Sequence, residues 1–342
     1  MKAAFFDSPG RVSVRDVPEP SCPPGGLLAS VRACAICGSD LRTMTSGPAD
    51  PSTVYGHECV LEVLEVDRDV RSYSPGDRII VCPVTCGTCD MCLRGAYHLC
   101  RRKEQVRTTN QGGFAGLVQV GSEAIEGGFI LKIPDTLGDL EATIVEPLAC
   151  VLSGSEKTST GPGKTVAILG AGTVGNLHMQ VARMKGSRCL IMIDLLRSRL
   201  DANASFGPVA LVDASTCDPV ETVREMTEHR GAGIVIVACV SARAQAQAIQ
   251  MADKQGEVLF FAALPAGSPD ATINTNLIHY SELKIIGARS ASRRYFDLAL
   301  ELIAEGRVNV TPLVTHVLPL DEIARGFELM KSGAAMRVVL VP

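Results

Sequence analysis

From residue 164 onward, short apolar runs alternate with amphipathic stretches. KTVAILG has the unbroken apolar character of a covered strand, and TVGNLHMQVARMKG carries its apolar residues at helical spacing. RCLIMID repeats the strand pattern and RSRLDANASFG the helical one. VALVD, GIVIVAC, GEVLFFA and LKIIGA then follow as strands, with helical segments between the first four of these strands. Strands alternating with helices predict a parallel, doubly wound sheet. Residues 1–149 read differently. VSVRDV, GLLASVRA, HECVLEVLEV, DRIIV and GGFAGLVQV lie between turn signals such as SPG, CPPGG and SPGDR, predicting an irregular, mostly β lobe. Beyond 287 come a helix (FDLALELIAEG), a proline-punctuated passage, a second helix (DEIARGFELMKS) and a closing strand, MRVVLVP. The fold class predicted is therefore α/β, with a mostly β lobe over 1–149, a doubly wound domain over 150–287 and a further segment over 288–342.

Composition narrows the function. The chain has 342 residues, 46% of them hydrophobic, so more than one domain is expected. A net charge of −4 provides no basic face, which argues against nucleic acid as a partner. The longest apolar runs fall short of the ~20 residues that cross a bilayer. The stretch MKAAFFDSPGRVSV lacks the apolar segment and cleavage site of a signal peptide. A cytoplasmic enzyme with no membrane association is the expectation. Thirteen cysteines without an export signal then argue against a disulfide framework, and most of the scattered ones read as small buried hydrophobes.

Four cysteines are not scattered. CGTCDMCLRGAYHLC places Cys86, Cys89, Cys92 and Cys100 within fifteen residues. Four thiolates can close a tetrahedral shell around Zn²⁺. An iron–sulfur cluster is the main competitor, but its bacterial run has a short last gap followed by Pro, whereas here the last gap is seven residues and Arg101 follows. Metal-free thiols are the third reading. A closed four-cysteine shell would hold a lobe together and perform no chemistry.

The run Gly170-Ala171-Gly172-Thr173-Val174-Gly175 directly follows a predicted strand and opens a predicted helix, the context that makes it a dinucleotide turn. The first glycine permits the turn, the second lets backbone approach a diphosphate, and the third lets the helix pack on the sheet. Asp194 ends the next strand, where its carboxylate can accept the ribose hydroxyls of NAD and repel a 2′-phosphate. Arg197 and Arg199 nearby could instead serve NADP. Asp194 favours NAD.

Three further polar groups stand out in the first lobe: Cys37 in CGSD, His57–Glu58 in GHE, and Glu146 in VEP. Cys, His and carboxylate are good Zn²⁺ ligands, and a site with an open position can be catalytic. Spacing alone leaves each ambiguous, because a lone Cys is usually core and a His–Glu pair is usually at the surface.

From MKAAFF to VVLVP the chain resembles the zinc-dependent medium-chain alcohol dehydrogenase family. The resemblance is carried by CGSD, GHE, the four cysteines, VEP, the glycine turn with its Asp, and PLVTHVLPLDEIARGFE, in that order. It is similar in particular to the polyol branch of sorbitol, threonine and sugar-acid dehydrogenases. The resemblance implies a GroES-like catalytic domain made of 1–149 with 288–342 and a Rossmann NAD-binding domain over 150–287. It implies a catalytic zinc on Cys37, His57 and Glu58, with Glu146 bound directly or through water, and a structural zinc on Cys86, Cys89, Cys92 and Cys100. Ser39 would pass on the substrate proton, Asp40 would orient the zinc site, and Asp194 with Arg199 would hold the adenosine ribose. Two departures stand out. Leu61 and Asp67 hold places where the family usually has glycine, and Arg42 holds a relay position where relatives often carry His. The segment 43–54 reads as a loop bordering the substrate pocket.

The expected activity is oxidation of a secondary alcohol on a small polar molecule (a polyol, sugar acid or amino alcohol) by a homodimer or homotetramer using two zinc ions per chain and NAD. Two rivals are a zinc-free enone reductase of the same fold and a non-catalytic NAD-binding protein.

Overall fold

The structure is a computed structural model describing residues 1–48, 50–102, 112–265 and 267–342. In chain order its strands are β1 (Lys2–Ser8), β2 (Arg11–Asp16), β3 (Leu27–Ala35), β4 (Glu58–Val66), β5 (Arg78–Val81), β6 (Leu117–Val120), β7 (Ile130–Lys132), β8 (Thr165–Leu169), β9 (Cys189–Asp194), β10 (Ala210–Asp213), β11 (Ala232–Val237), β12 (Ala252–Phe260), β13 (Lys284–Gly287), β14 (Val314–Pro319) and β15 (Arg337–Val341). The chain divides into two compact units, Met1–Ala149 with Ala291–Pro342, and Cys150–Ser290.

The second unit is built on β8–β13, which form one sheet in the order β10-β9-β8-β11-β12-β13 with every pair parallel. Helices connect successive strands: Thr173–Met184, Arg197–Ala204, Pro219–Met226, Ala242–Met251 and Thr275–Tyr280. Because helices cover both faces, the central strands are buried at nearly every position, not at alternate ones: Val166, Ala167 and Ile168 are all 0% exposed. Each such aliphatic side chain contributes roughly 1.5–3 kcal/mol of burial. The strand order reverses at β8, with β9 on one side and β11 on the other. Ligands of doubly wound sheets bind at the C-terminal ends of strands at such a reversal, and the glycine turn leaves β8 there.

The first unit holds a seven-stranded sheet, ordered β14-β15-β3-β4-β5-β7 with β6 on β3, and a β1–β2 antiparallel pair. The pattern reading did not single out β1, the three-residue β7, or β14, which lies in the proline-punctuated passage. The closing strand matters most for the site. β15 pairs with β3 (Leu340 with Cys34, Val339 with Ala35), and β3 pairs with β4 (Ala35 with Glu58). Residues near the start and the end of this sequence thus become neighbours. Phe6 stacks on Tyr55, three residues before β4, with centroids 4.6 Å apart, and meets Phe327 edge-on at 5.5 Å. Leu61 is fully buried in β4, in register with Val31 on β3 and Ile79 on β5. Asp67 directly follows the strand and accepts from the Asp69 N–H at 3.1 Å.

Candidate active site and metal centres

The four cysteines of the 86–100 segment converge. Their Sγ atoms lie within 4.8 Å of one another, with edges of 3.5 Å (Cys89–Cys92, Cys86–Cys100) and 3.9 Å (Cys86–Cys92, Cys89–Cys100). Four sulfurs about 2.3 Å from one ion sit about 3.8 Å apart, so the cage has the size of a single-metal shell. A disulfide needs about 2.05 Å, and a multi-iron cluster, whose four thiolates ligate different irons, would spread the sulfurs farther. Backbone N–H groups point at the sulfurs: those of Cys86 and Arg102 lie 3.5 and 3.4 Å from Cys100 Sγ. The Thr88 backbone N–H is the main cause holding the Cys86 thiol down at about 6, while burial pushes that of Cys92 up to about 12. The cage suits anionic sulfur gathered on a cation.

A second cluster joins Cys37, His57 and Glu58, one ligand atom from each lying within 4.8 Å of the others. Local sequence explains how Cys37 is aimed. It is the N-cap of the helix Gly38–Ser46, where Asp40 Oδ2 accepts from the Cys37 N–H at 2.9 Å and Cys37 Sγ accepts from the Ser39 N–H at 3.5 Å. A sulfur at a helix N-terminus sits in a field that favours thiolate, but burial, helped by the Glu58 charge, pushes the Cys37 thiol above its usual range while His57 opposes the shift. This helix runs through Ser46, so the expected loop 43–54 is helical over its first four residues and begins at Gly47; its residue 49 lies outside the described residues. His57 follows Gly56, whose φ of +97° suits glycine and whose Cβ, were there one, would come within 2.9 Å of Cys34 Sγ and Phe114. Asp40 Oδ1 lies 3.4 Å from His57 Nδ1, so one buried carboxylate holds both the Cys37 backbone and the imidazole.

Glu58 is the unusual member. Its side chain is 1% exposed, and neither oxygen receives a hydrogen bond. Arg337 Nη2 lies 2.6 Å from Oε2, a charge pair off the hydrogen-bond axis, while Arg337 Nη1 donates to the Ile36 carbonyl at 3.2 Å. Burial pushes the Glu58 carboxyl up to about 7; Arg337 opposes the shift and Glu146 adds to it. A buried carboxylate with no hydrogen bond, balanced by one guanidinium and set beside a thiol and an imidazole, fits a metal ion in donor type. Glu146 sits in the first turn of the helix Val145–Ser155, outside the 4.8 Å cluster. Ser39 lies one position inside the helix that Cys37 caps, and Arg42 lies three residues farther along it. Arg337 was missed from the sequence. Its signal was a lone cation in the apolar strand MRVVLVP, since a buried charge requires a partner.

In the second unit the glycine turn has three distinct environments. Gly170 has φ +108°. A Cβ at Gly172 would meet nothing within 4 Å, and one at Gly175 would lie 1.8 Å from the Gly170 carbonyl oxygen. The middle glycine therefore faces open space that a ligand group can fill, and the third allows strand and helix to close on each other. Thr173 and Val174 begin the helix. Asp194, the last residue of β9, accepts from the Ala171 N–H at 2.7 Å through Oδ2 and from the Leu196 N–H at 2.9 Å through Oδ1. Arg197 pairs with Asp201 on its own helix at 2.8 Å. Arg199 Nε is buried without a hydrogen-bond partner.

A metal-dependent, nucleotide-using dehydrogenase is the class these parts define. Residues 23–135 match the alcohol dehydrogenase GroES-like domain, and residues 173–305 match the zinc-binding dehydrogenase family. The sorbitol dehydrogenase of Halalkalibacterium halodurans is 30% identical over 340 residues, 97% of this chain and 96% of that one. An L-threonine 3-dehydrogenase of Bacillus licheniformis is 29% identical, covering 99% and 98%. Among solved structures, a Sinorhizobium meliloti 1021 protein described as a zinc-binding dehydrogenase and bound to NADP superposes with a TM-score of 0.89 at 31% identity, covering 100% of this chain and 99% of the other. The chain belongs to the zinc-dependent medium-chain alcohol dehydrogenase family, in its polyol branch. It is an oxidoreductase acting on alcohols.

Proposed function

We propose that this protein oxidises a secondary alcohol on a small polar molecule (a polyol, sugar acid or amino alcohol) with NAD as hydride acceptor. The observation that carries the reading is the meeting of Cys37, His57 and the buried Glu58 carboxylate within 4.8 Å. A zinc-free enone reductase would have no use for that constellation. Cys37, His57 and Glu58 would hold one zinc, with Glu146 nearby, and Cys86, Cys89, Cys92 and Cys100 a second. Zinc at the first site would supply Lewis acidity toward an alcohol oxygen, and the nicotinamide would accept hydride. Asp40 holds the His57 ring and the Cys37 backbone in place. Ser39 takes the substrate proton. Gly170, Gly172, Thr173, Val174 and Gly175 cradle the diphosphate, and Asp194 with Arg199 binds the adenosine ribose. The catalytic domain comprises 1–149 with 288–342 and the cofactor domain 150–287; the working form is a cytoplasmic homodimer or homotetramer. Among the described residues no helix is long and apolar enough to cross a membrane.

The NADP-bound relative and the unpartnered Nε of Arg199 favour a second reading of cofactor choice, in which Arg199 accepts a 2′-phosphate. Elemental analysis combined with turnover of sorbitol, aldonates and L-threonine using NAD⁺ and NADP⁺ tests both. Two zinc ions per chain and faster turnover with NAD⁺ are expected. Faster turnover with NADP⁺ at equal concentration would select the second reading. Cofactor binding without turnover of any alcohol would overturn the assignment as a dehydrogenase of these substrates.

A further inference from the structure

The glycine turn is gripped from beneath by a buried polar network. Asn203, on the helix Arg197–Ala204, is 0% exposed, and its Nδ2 donates to the Ala171 carbonyl at 2.8 Å and to the Arg199 carbonyl at 2.7 Å. Its Oδ1 accepts from Asn176 Nδ2 at 2.7 Å, and Asn176 Oδ1 accepts from Gln180 Nε2 at 2.6 Å. Asn176 is also 0% exposed. A bond between the two asparagines alone would pin helix to helix. The bond to Ala171 does something else, because Ala171 lies inside the turn, between its first two glycines.

A trans peptide is planar, with its C=O and N–H pointing in opposite directions. The Ala171 carbonyl and the Gly172 N–H belong to one peptide. Drawing that carbonyl inward to Asn203 therefore aims the Gly172 N–H outward, toward the side where Gly172 has nothing within 4 Å of a Cβ position. The preceding peptide is set in the same manner by the Ala171 N–H, which donates to Asp194 at 2.7 Å. Two consecutive peptides of the turn are thus oriented by the segment that leaves β9. An apolar residue at 203 would leave the Ala171 carbonyl buried and unpaired, and the peptide would be free to rotate in search of a partner.

We infer that Asn203 is a positioning residue for the cofactor: it orients the Ala171–Gly172 peptide so that its N–H meets the dinucleotide diphosphate. This rests on the dinucleotide reading above. The test compares Asn203→Leu with Gln180→Met, which removes the far end of the same network without touching Ala171. Binding of NADH is followed by its own emission, with ADP-ribose and adenosine measured by displacement. Asn203→Leu should weaken NADH and ADP-ribose by at least about tenfold, the size of one lost hydrogen bond to a charged group. Adenosine, which lacks the diphosphate, should change less than about twofold, and KM for NAD⁺ should rise more than kcat falls. Gln180→Met should leave all three affinities near wild type. Should Asn203→Leu fail to fold, Asn203→Ser, too short to reach Ala171, gives the same comparison. Equal losses for adenosine and ADP-ribose, or an NADH affinity within twofold of wild type in the Asn203 variant, would overturn the inference alone. A wild-type protein that binds no dinucleotide would overturn the cofactor reading and this inference together.

Discussion

The two cysteine-containing clusters of the first unit solve the same problem in opposite ways. The 86–100 cage draws all four ligands from fifteen consecutive residues, and its sulfurs are already surrounded by backbone N–H groups. The Cys37–His57–Glu58 cluster takes its ligands from a helix cap and a strand, and a guanidinium from the last strand completes it. One cage is closed, with four equivalent donors and no position left over. The other mixes donor types and contains a buried carboxylate with no hydrogen bond. Local closure is suited to holding a loop in shape. Incomplete valence, maintained at a cost by distant parts of the chain, is suited to binding something that comes and goes.

If that contrast is right, the largest effect comes from Cys37→Ser. Turnover should fall by ~10³ or more, since Lewis-acid stabilisation of several kcal/mol is lost, while the melting temperature moves by only a few degrees. A Cys37→Ser variant that keeps wild-type kcat would break the comparison on the catalytic side. Cys89→Ser should do the reverse. Losing part of a closed shell removes folding free energy, and a loss of several kcal/mol lowers the melting temperature by about 10 °C or more for a unit of this size. A melting curve superimposable on wild type would show that the cage holds nothing.

Arg337→Met sharpens the distinction further. It strands the Glu58 carboxylate without its cation, which should cost about 3–5 kcal/mol in denaturant unfolding of metal-free protein. The double variant Glu58→Leu/Arg337→Met should recover most of that loss, because an apolar pair of similar volume needs no desolvation. Failure of the double variant to recover would mean that Arg337 acts chiefly through the Ile36 carbonyl.

The smallest effect concerns a second orphan, in the other unit. His178 is 1% exposed, both ring nitrogens lack partners, and its ring meets Phe261 edge-on at 4.6 Å. Burial holds its pKa down at about 3, against about 6.5 for the unfolded chain. The unfolded state therefore binds the proton first, and native stability falls as pH drops below about 6.5, the loss reaching about 2 kcal/mol by pH 5. His178→Phe should remove that slope. Chemical denaturation at pH 7 and pH 5 measures it, and equal pH dependence in variant and wild type would refute the assignment. Glu58 and His178 are both buried without hydrogen bonds, but only Glu58 has an adjacent thiol, imidazole and guanidinium. A polar orphan becomes a candidate ligand site through its neighbours.

The parts of this molecule that could be read from the chain are those whose partners are near in sequence. The strands of the second unit announced themselves by unbroken apolar runs, the glycine turn by its place between strand and helix, and the 86–100 cage by gaps of two, two and seven. The helix Gly38–Ser46 was partly misread as loop because its start depends on a Cys–Asp capping box, a weaker signal than the usual Ser or Thr cap.

Local order, then, was written into residue spacing: which segments are strands, where a helix meets a glycine turn, and which four thiols can reach one ion. Spacing could not reveal that β15 lies beside β3 and so delivers Arg337 to Glu58, or that Asn203 reaches back 32 residues to grip Ala171. Those contacts exist only after sheet pairing has converted sequence separation into adjacency. They are made by side chains whose need for a partner arises from burial itself, and burial is a property of the folded chain.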